Sequence, residues 1–248
     1  MKNKIPLLPQ GRERCKIAGR LRSDNQKGSS EVWMMRFDAI WDLLFPRKCA
    51  FCHRLTQNQA AVCPRCLEKL PYTKNAARQD FPNLIGCYAP LFYVDSVRQS
   101  LLRYKFGGLR MYAPVYGEFL AKCIDENRIS CDSITWVPLS KARLRSRGYD
   151  QARLLAEDLA KRLSVPCEPV LRKIRNNPRQ SSAGGAENRR RNVRGVYALT
   201  PQASVYGKRI LLIDDIVTTG ATLSECAGVM RSSGAAGVVA LTLARRKE

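Results

Sequence analysis

Four aliphatic residues in succession, Ile210-Leu211-Leu212-Ile213, interrupt an otherwise mixed chain. A run without a polar position leaves no face for water, which predicts a strand covered on both sides, as in a parallel sheet. Two acids follow, Asp214 and Asp215, then Ile216, Val217 and the turn-forming Thr218-Thr219-Gly220-Ala221-Thr222, after which a helix is expected. The acids therefore stand at the carboxyl end of a strand, where open α/β sheets bind ligands. Upstream, Tyr112, Val115, Tyr116, Phe119, Leu120 and Cys123 recur at helical spacing and predict an amphipathic helix over 111–126. Lys105-Phe106-Gly107-Gly108 reads as the glycine-marked end of a helix that begins near Ser96. Residues 84–94 are β-rich, and 134–139 predicts another strand, stopped by Pro138. A basic loop, 140–151, then leads to a helix with Ala152, Leu155, Ala156, Leu159, Ala160 and Leu163 on one face. The expected class is α/β, a parallel sheet with helices on both faces over 84–248.

The chain starts differently. Residues 1–33 are polar and basic without periodicity, which predicts a disordered arm. Met34 and Met35 stand just before 37–45, whose apolar positions suit a short amphipathic helix, so either methionine is a plausible true start of translation. Cys49-x-x-Cys52, ten residues, then Cys63-x-x-Cys66 is a metal pattern. Each pair turns two thiolates toward one point, and two pairs complete a tetrahedral zinc site. The expected unit is a small four-cysteine zinc-ribbon module over 34–72. With few apolar residues of its own, it should take its folding energy from structural Zn2+. Two redox or fortuitous CxxC motifs are the plainer alternative. His53, the one histidine, adjoins Cys52 and reads as a bystander.

Composition changes the picture in three ways. Ten cysteines in 248 residues would suggest a disulfide scaffold, but the length and the absence of an apolar signal core argue against it. No run approaches about eighteen apolar residues, so no transmembrane segment is expected and a cytoplasmic location follows. The formal charge of +22, from 43 basic and 21 acidic residues, predicts attraction to polyanions. Much of the excess lies between 141 and 194, with Arg189-Arg190-Arg191 at its densest. That segment holds little apolar content, and such a stretch inside a domain reads as a functional loop.

The acids and the turn carry candidate chemistry. Asp214 and Asp215 can accept hydrogen bonds from sugar hydroxyls. The backbone from Val217 to Thr222, with the hydroxyls of Thr218, Thr219 and Thr222 and a helix dipole behind it, can surround a phosphate. A plain αβ turn with threonine as helix cap explains one threonine and not the adjacent acids. The run from 210 to 223 resembles the phosphoribosyl-pyrophosphate (PRPP) loop of type I phosphoribosyltransferases. The resemblance implies that the acid pair holds the ribose 2′ and 3′ hydroxyls and that Val217, Thr218, Thr219, Gly220, Ala221 and Thr222 hold the 5′-phosphate. It further implies Ser140, Lys141 and Arg147 as pyrophosphate contacts, Mg2+ accompanying PRPP, and a loop closing over the ligand where 172–194 lies.

The joint order of motifs narrows this. The four-cysteine knuckle, Val137-Pro138-Leu139, Arg147-Gly148-Tyr149-Asp150-Gln151, Gln180, Arg189-x-x-Asn192-Val193-x-Gly195-Val196-Tyr197 and the Asp-Asp loop together are similar to the ComF family. Ser181-Ser182-Ala183-Gly184-Gly185 departs from it where an apolar leucine is expected. The resemblance implies binding of PRPP or a ribose-5-phosphate-like ligand, a role in DNA uptake during natural transformation, and as partners single-stranded DNA and a DNA-uptake helicase. Two alternatives stay open: an active phosphoribosyltransferase acting on an unidentified acceptor, with Asp214 and Asp215 stabilising charge at the ribose, and a PRPP-sensing regulator.

Overall fold

A computed structural model of the chain describes residues 47–56, 60–74, 77–175 and 195–247. The expectations for 1–33, for 34–45 and for Arg189, Arg190 and Arg191 lie outside the described residues. The chain divides into two units, 1–45 and 46–248, and every described residue belongs to the second.

The sheet is built on the two most apolar strands. β7 (Arg209–Val217) and β8 (Gly237–Arg245) pair in parallel along their length, with Ile210 opposite Val238 and Ile213 opposite Leu241. β4 (Ser133–Trp136) joins the far side of β7 in parallel. Two short strands, β2 (Gly86–Tyr88) and β3 (Leu91–Phe92), share one register along the other side of β8. Between them lie Ala89 and Pro90, and a proline has no N–H to give a ladder. β1 (Arg78–Gln79) closes the edge antiparallel to β2. A separate antiparallel ribbon pairs β5 (Leu171–Lys173) with β6 (Tyr197–Leu199).

Alternation along β7 sends its side chains to two cores. Leu211 and Ile213 join a cluster with α2 (Asp95–Phe106), α3 (Ala113–Glu126) and α5 (Gln151–Leu163). Ile210 and Leu212 join a second cluster with α6 (Ala221–Ser232) and the ribbon. Helices thus cover both faces of a mainly parallel sheet, as the uninterrupted apolar run predicts.

Two local expectations change. The stretch after β4 is no loop: Lys141–Arg147 forms a short helix, α4, between the N-cap Ser140, whose Oγ accepts from Arg143 N–H at 3.3 Å, and Gly148 at φ 74°. Its caps define it, since none of its residues is buried. The cysteine region, with its six-residue helix α1 (Pro64–Lys69), also packs into the first cluster, which its composition does not suggest. Ala50, Phe51 and Leu70 are buried in the first cluster, and the Phe51 ring meets Phe119 edge-on and tilts against Tyr116.

Candidate functional site

The site grows out of the end of β7. Alternation continues into the acid pair, so the two carboxylates leave the strand toward opposite faces. Asp214 lies on the side of Cys87, Cys226 and Tyr197. Burial, and then the neighbouring Asp215 carboxylate, push its pKa up to about 8. Its Oδ1 accepts the Asp215 N–H at 2.8 Å.

Asp215 turns to the other face and is almost fully buried. Lys105 Nζ, from the last turn of α2, stands 2.9 Å from its Oδ1. Gln151 Nε2, from the first turn of α5, donates to its Oδ2 at 2.9 Å. Arg147, at the end of α4, is half-buried, which lowers its pKa against the opposing pull of the Asp215 charge, and its guanidinium stacks 4.9 Å from the exposed Phe106 ring. Asp150 between them caps α5, accepting from Ala152 and Arg153 N–H, while its second oxygen accepts from Leu139 N–H at 3.1 Å. The Arg147-to-Gln151 motif is therefore one piece of local structure. It ends one helix, caps the next, bonds Asp215 through Gln151 and sets the Arg147 charge near the same acid.

β7 runs through the acids to Val217, so the turn proper is Thr218-Thr219-Gly220, and Ala221 and Thr222 open α6. Ser224 N–H bonds to Gly220 O at 2.8 Å. The N–H groups of Ala221, Thr222 and Leu223 ahead of it have no intrahelical acceptor and aim from the positive end of the dipole. Gly220 sits at φ 68°, and a Cβ there would come within 2.2 Å of the Phe81 ring. A side chain is excluded twice, by backbone conformation and by Phe81. Asn83 from the same segment donates to Ser224 O at 3.2 Å, so residues 81–83 wall the start of α6.

Of the predicted site residues, the structure brings together Asp214, Asp215, Arg147 and the turn 217–222. Ser140 caps α4, and Lys141 is exposed, with no contact to the acids among the described residues. Sequence reasoning missed Lys105 as the partner of Asp215, Gln151 as its second donor and Phe81 as the lid on Gly220. Only Gln151 carried a signal, as the last residue of a recognised motif.

The four cysteines form a second site. The sulfur atoms of Cys49, Cys52, Cys63 and Cys66 all lie within 4.8 Å of one another, with Cys52 and Cys63 3.7 Å apart. Tetrahedral zinc with Zn–S near 2.3 Å requires sulfur pairs about 3.8 Å apart, so the donor set fits a structural Zn2+. At Cys49, burial would raise the thiol, but backbone N–H groups of Cys63, Cys52 and Phe51 outweigh it and bring the pKa down to about 7. His53 points elsewhere, its Nδ1 3.1 Å from Tyr112 OH.

Comparison with known proteins matches the regions that hold the two sites to two domain families. Residues 150–248 match the phosphoribosyl transferase domain, and 40–78 match the double zinc ribbon domain. The chain is 33% identical over 208 residues to the DNA utilization protein YhgH of Salmonella typhi, covering 79% of this chain and 89% of that one. The chain belongs to the ComF family. Two further relatives bear the family's name. Competence protein F of Haemophilus influenzae is 26% identical over 204 residues, covering 79% of this chain and 84% of its own. Competence protein ComFC of Bacillus subtilis is 33% identical over 158 residues, 62% of this chain and 61% of its own. Within this ComF-family chain, the phosphoribosyl transferase match includes Asp150, Gln151, both acids and the whole turn 217–222. Among the described residues no helix is long and apolar enough to cross a membrane.

Proposed function

We propose that this protein binds PRPP or a related phosphoribosyl ligand, with Mg2+ accompanying the pyrophosphate, and that it supports DNA uptake in natural transformation. The observation that carries the first part is the end of β7. There, two adjacent acids at the end of a strand precede a glycine-forced turn whose free N–H groups open a helix. The carboxylates suit vicinal ribose hydroxyls, and the helix N-terminus suits the 5′-phosphate. Arg147 on the near side and the backbone around it suit a pyrophosphate. The DNA part is supported by the relatives' names and by the +22 charge, which favours a polyanion.

In this reading both acids hold the sugar, and Asp215 also faces positive charge at it, an electrostatic task. Asp215 suits that task because two donors fix it. Release of pyrophosphate in the presence of an acceptor would add transfer to binding.

Thr219 tests the phosphate end. Thr219→Val keeps the shape and removes a hydroxyl beside the turn, so it should weaken ribose 5-phosphate and PRPP by the same factor, about threefold to thirtyfold. Titration of both ligands against the variant checks this. A loss confined to PRPP would move the 5′-phosphate away from the turn.

A further inference from the structure

Asp215 is tied to a part of the chain far from its own loop. α2 holds two things at once. From its middle, Ser100 Oγ donates to Ala50 O at 2.5 Å and meets Tyr116 OH at 2.6 Å, and Arg103 Nη2 donates to Phe51 O at 2.5 Å. Ala50 and Phe51 are the two residues between Cys49 and Cys52, so one helix grips successive carbonyls of the first knuckle. From its last turn, Tyr104 OH donates to Gln151 O at 2.9 Å and Lys105 reaches Asp215. The helix also shares a packed row of rings with the knuckle, in which Phe51 meets Tyr116 and Tyr116 meets Tyr104 edge-on. Every link from the cysteines to the acid is a direct contact.

The ion pair is buried, with the Lys105 and Asp215 side chains 17% and 6% exposed. A carboxylate so enclosed needs its partner, because an unpaired buried charge is strongly unfavourable. Lys105 takes one lone pair of Oδ1 and Gln151 one of Oδ2. Each oxygen keeps a second acceptor position. One donor on each oxygen fixes the orientation of the carboxylate and leaves an acceptor position on each.

We propose that Lys105 is a positioning residue of the phosphoribosyl site, holding Asp215 so that it accepts a ribose hydroxyl, and that the cysteine knuckle sets the place of Lys105 through α2. The inference rests on the phosphoribosyl reading above. Lys105 acts through the acid and not on the phosphates, so the ribose end of the ligand feels its loss.

A double-mutant cycle on the full, zinc-loaded chain separates the possibilities, with affinities for ribose 5-phosphate and PRPP read by calorimetry. Lys105→Met should weaken both ligands alike, about tenfold or more. Combining it with Asp215→Asn should cost nothing beyond Asp215→Asn alone, and Lys105→Arg should restore most of the affinity. Arg103→Met, which releases the knuckle carbonyl, should weaken both ligands in the same direction and add nothing to Lys105→Met. Additive losses, or a loss confined to PRPP, would overturn the positioning role. A Lys105→Met protein with lowered melting temperature and unchanged affinities would make the pair purely structural. Unchanged affinities in Arg103→Met would remove the knuckle from the account. Wild-type protein that binds neither ligand overturns the phosphoribosyl reading itself, and this inference with it.

Discussion

At the scale of single residues, the two acids are neighbours in sequence and opposites in environment. Asp215 has a cation and an amide donor. Asp214 has a buried wall and the charge of Asp215, which together push its pKa up to about 8. The folded chain therefore keeps this proton to higher pH than the unfolded chain, where an aspartate titrates near about 4. Across that window the folded state binds more protons, so stability falls as pH rises from about 4 to about 8. Asp214→Asn has no proton to lose. Its melting temperature, measured against wild type across pH, should match at pH about 4–5 and exceed wild type increasingly toward pH about 8.5. A difference independent of pH would mean Asp214 ionises normally. Adjacent acids after an apolar strand were legible in the sequence, and so was the turn from that strand into a helix. The partner of Asp215 was not, because Lys105 arrives from a distant helix and nothing local to either residue marks the pair.

At the scale of elements, periodicity served where a face is buried and failed where it is not. The helix expected over 111–126 is α3, preceded by a turn of 3-10 helix at Arg110–Tyr112. α4 was read as a loop because its seven residues carry no buried face. Its caps, Ser140 and Gly148, define it, and without an apolar stripe beside them they are a weaker signal than periodicity. β8 is as apolar as β7, but no acid or glycine follows to mark its end, and an apolar run by itself does not separate strand from buried helix. The turn between β7 and α6 offers the sharpest test at this scale. Gly220→Ala must hold an L-residue at φ 68° and displace the Phe81 ring. Left-handed strain and overpacking together predict a destabilisation of about 2–5 kcal/mol. They also predict a displaced phosphate turn, measured by denaturant unfolding and by loss of ribose 5-phosphate binding. Wild-type stability and affinity in that variant would mean the turn has another conformation.

At the scale of the whole molecule, the fold class was legible because the order of strands, acids and helices has few solutions in an α/β sheet. The grouping of cysteines was legible as a zinc site from its spacing, and the four sulfur atoms within 4.8 Å of one another favour that reading over two separate CxxC motifs. What the sequence could not reveal is that the knuckle shares a core with the α/β body, through Phe51 and the carbonyls gripped by α2. Contacts between residues so far apart in the chain leave no periodic trace. The surplus of 22 positive charges belongs to this scale as well, since it acts at a distance and steers polyanions toward the molecule. The phosphoribosyl site is the claim on which the other readings depend. Calorimetric titration of the zinc-loaded protein with PRPP and Mg2+, alone and with single-stranded DNA present, tests it most directly. The account predicts saturable binding at about one ligand per chain, persisting with DNA and lost in Asp214→Asn combined with Asp215→Asn. No binding of PRPP by the wild-type protein in either condition would contradict it.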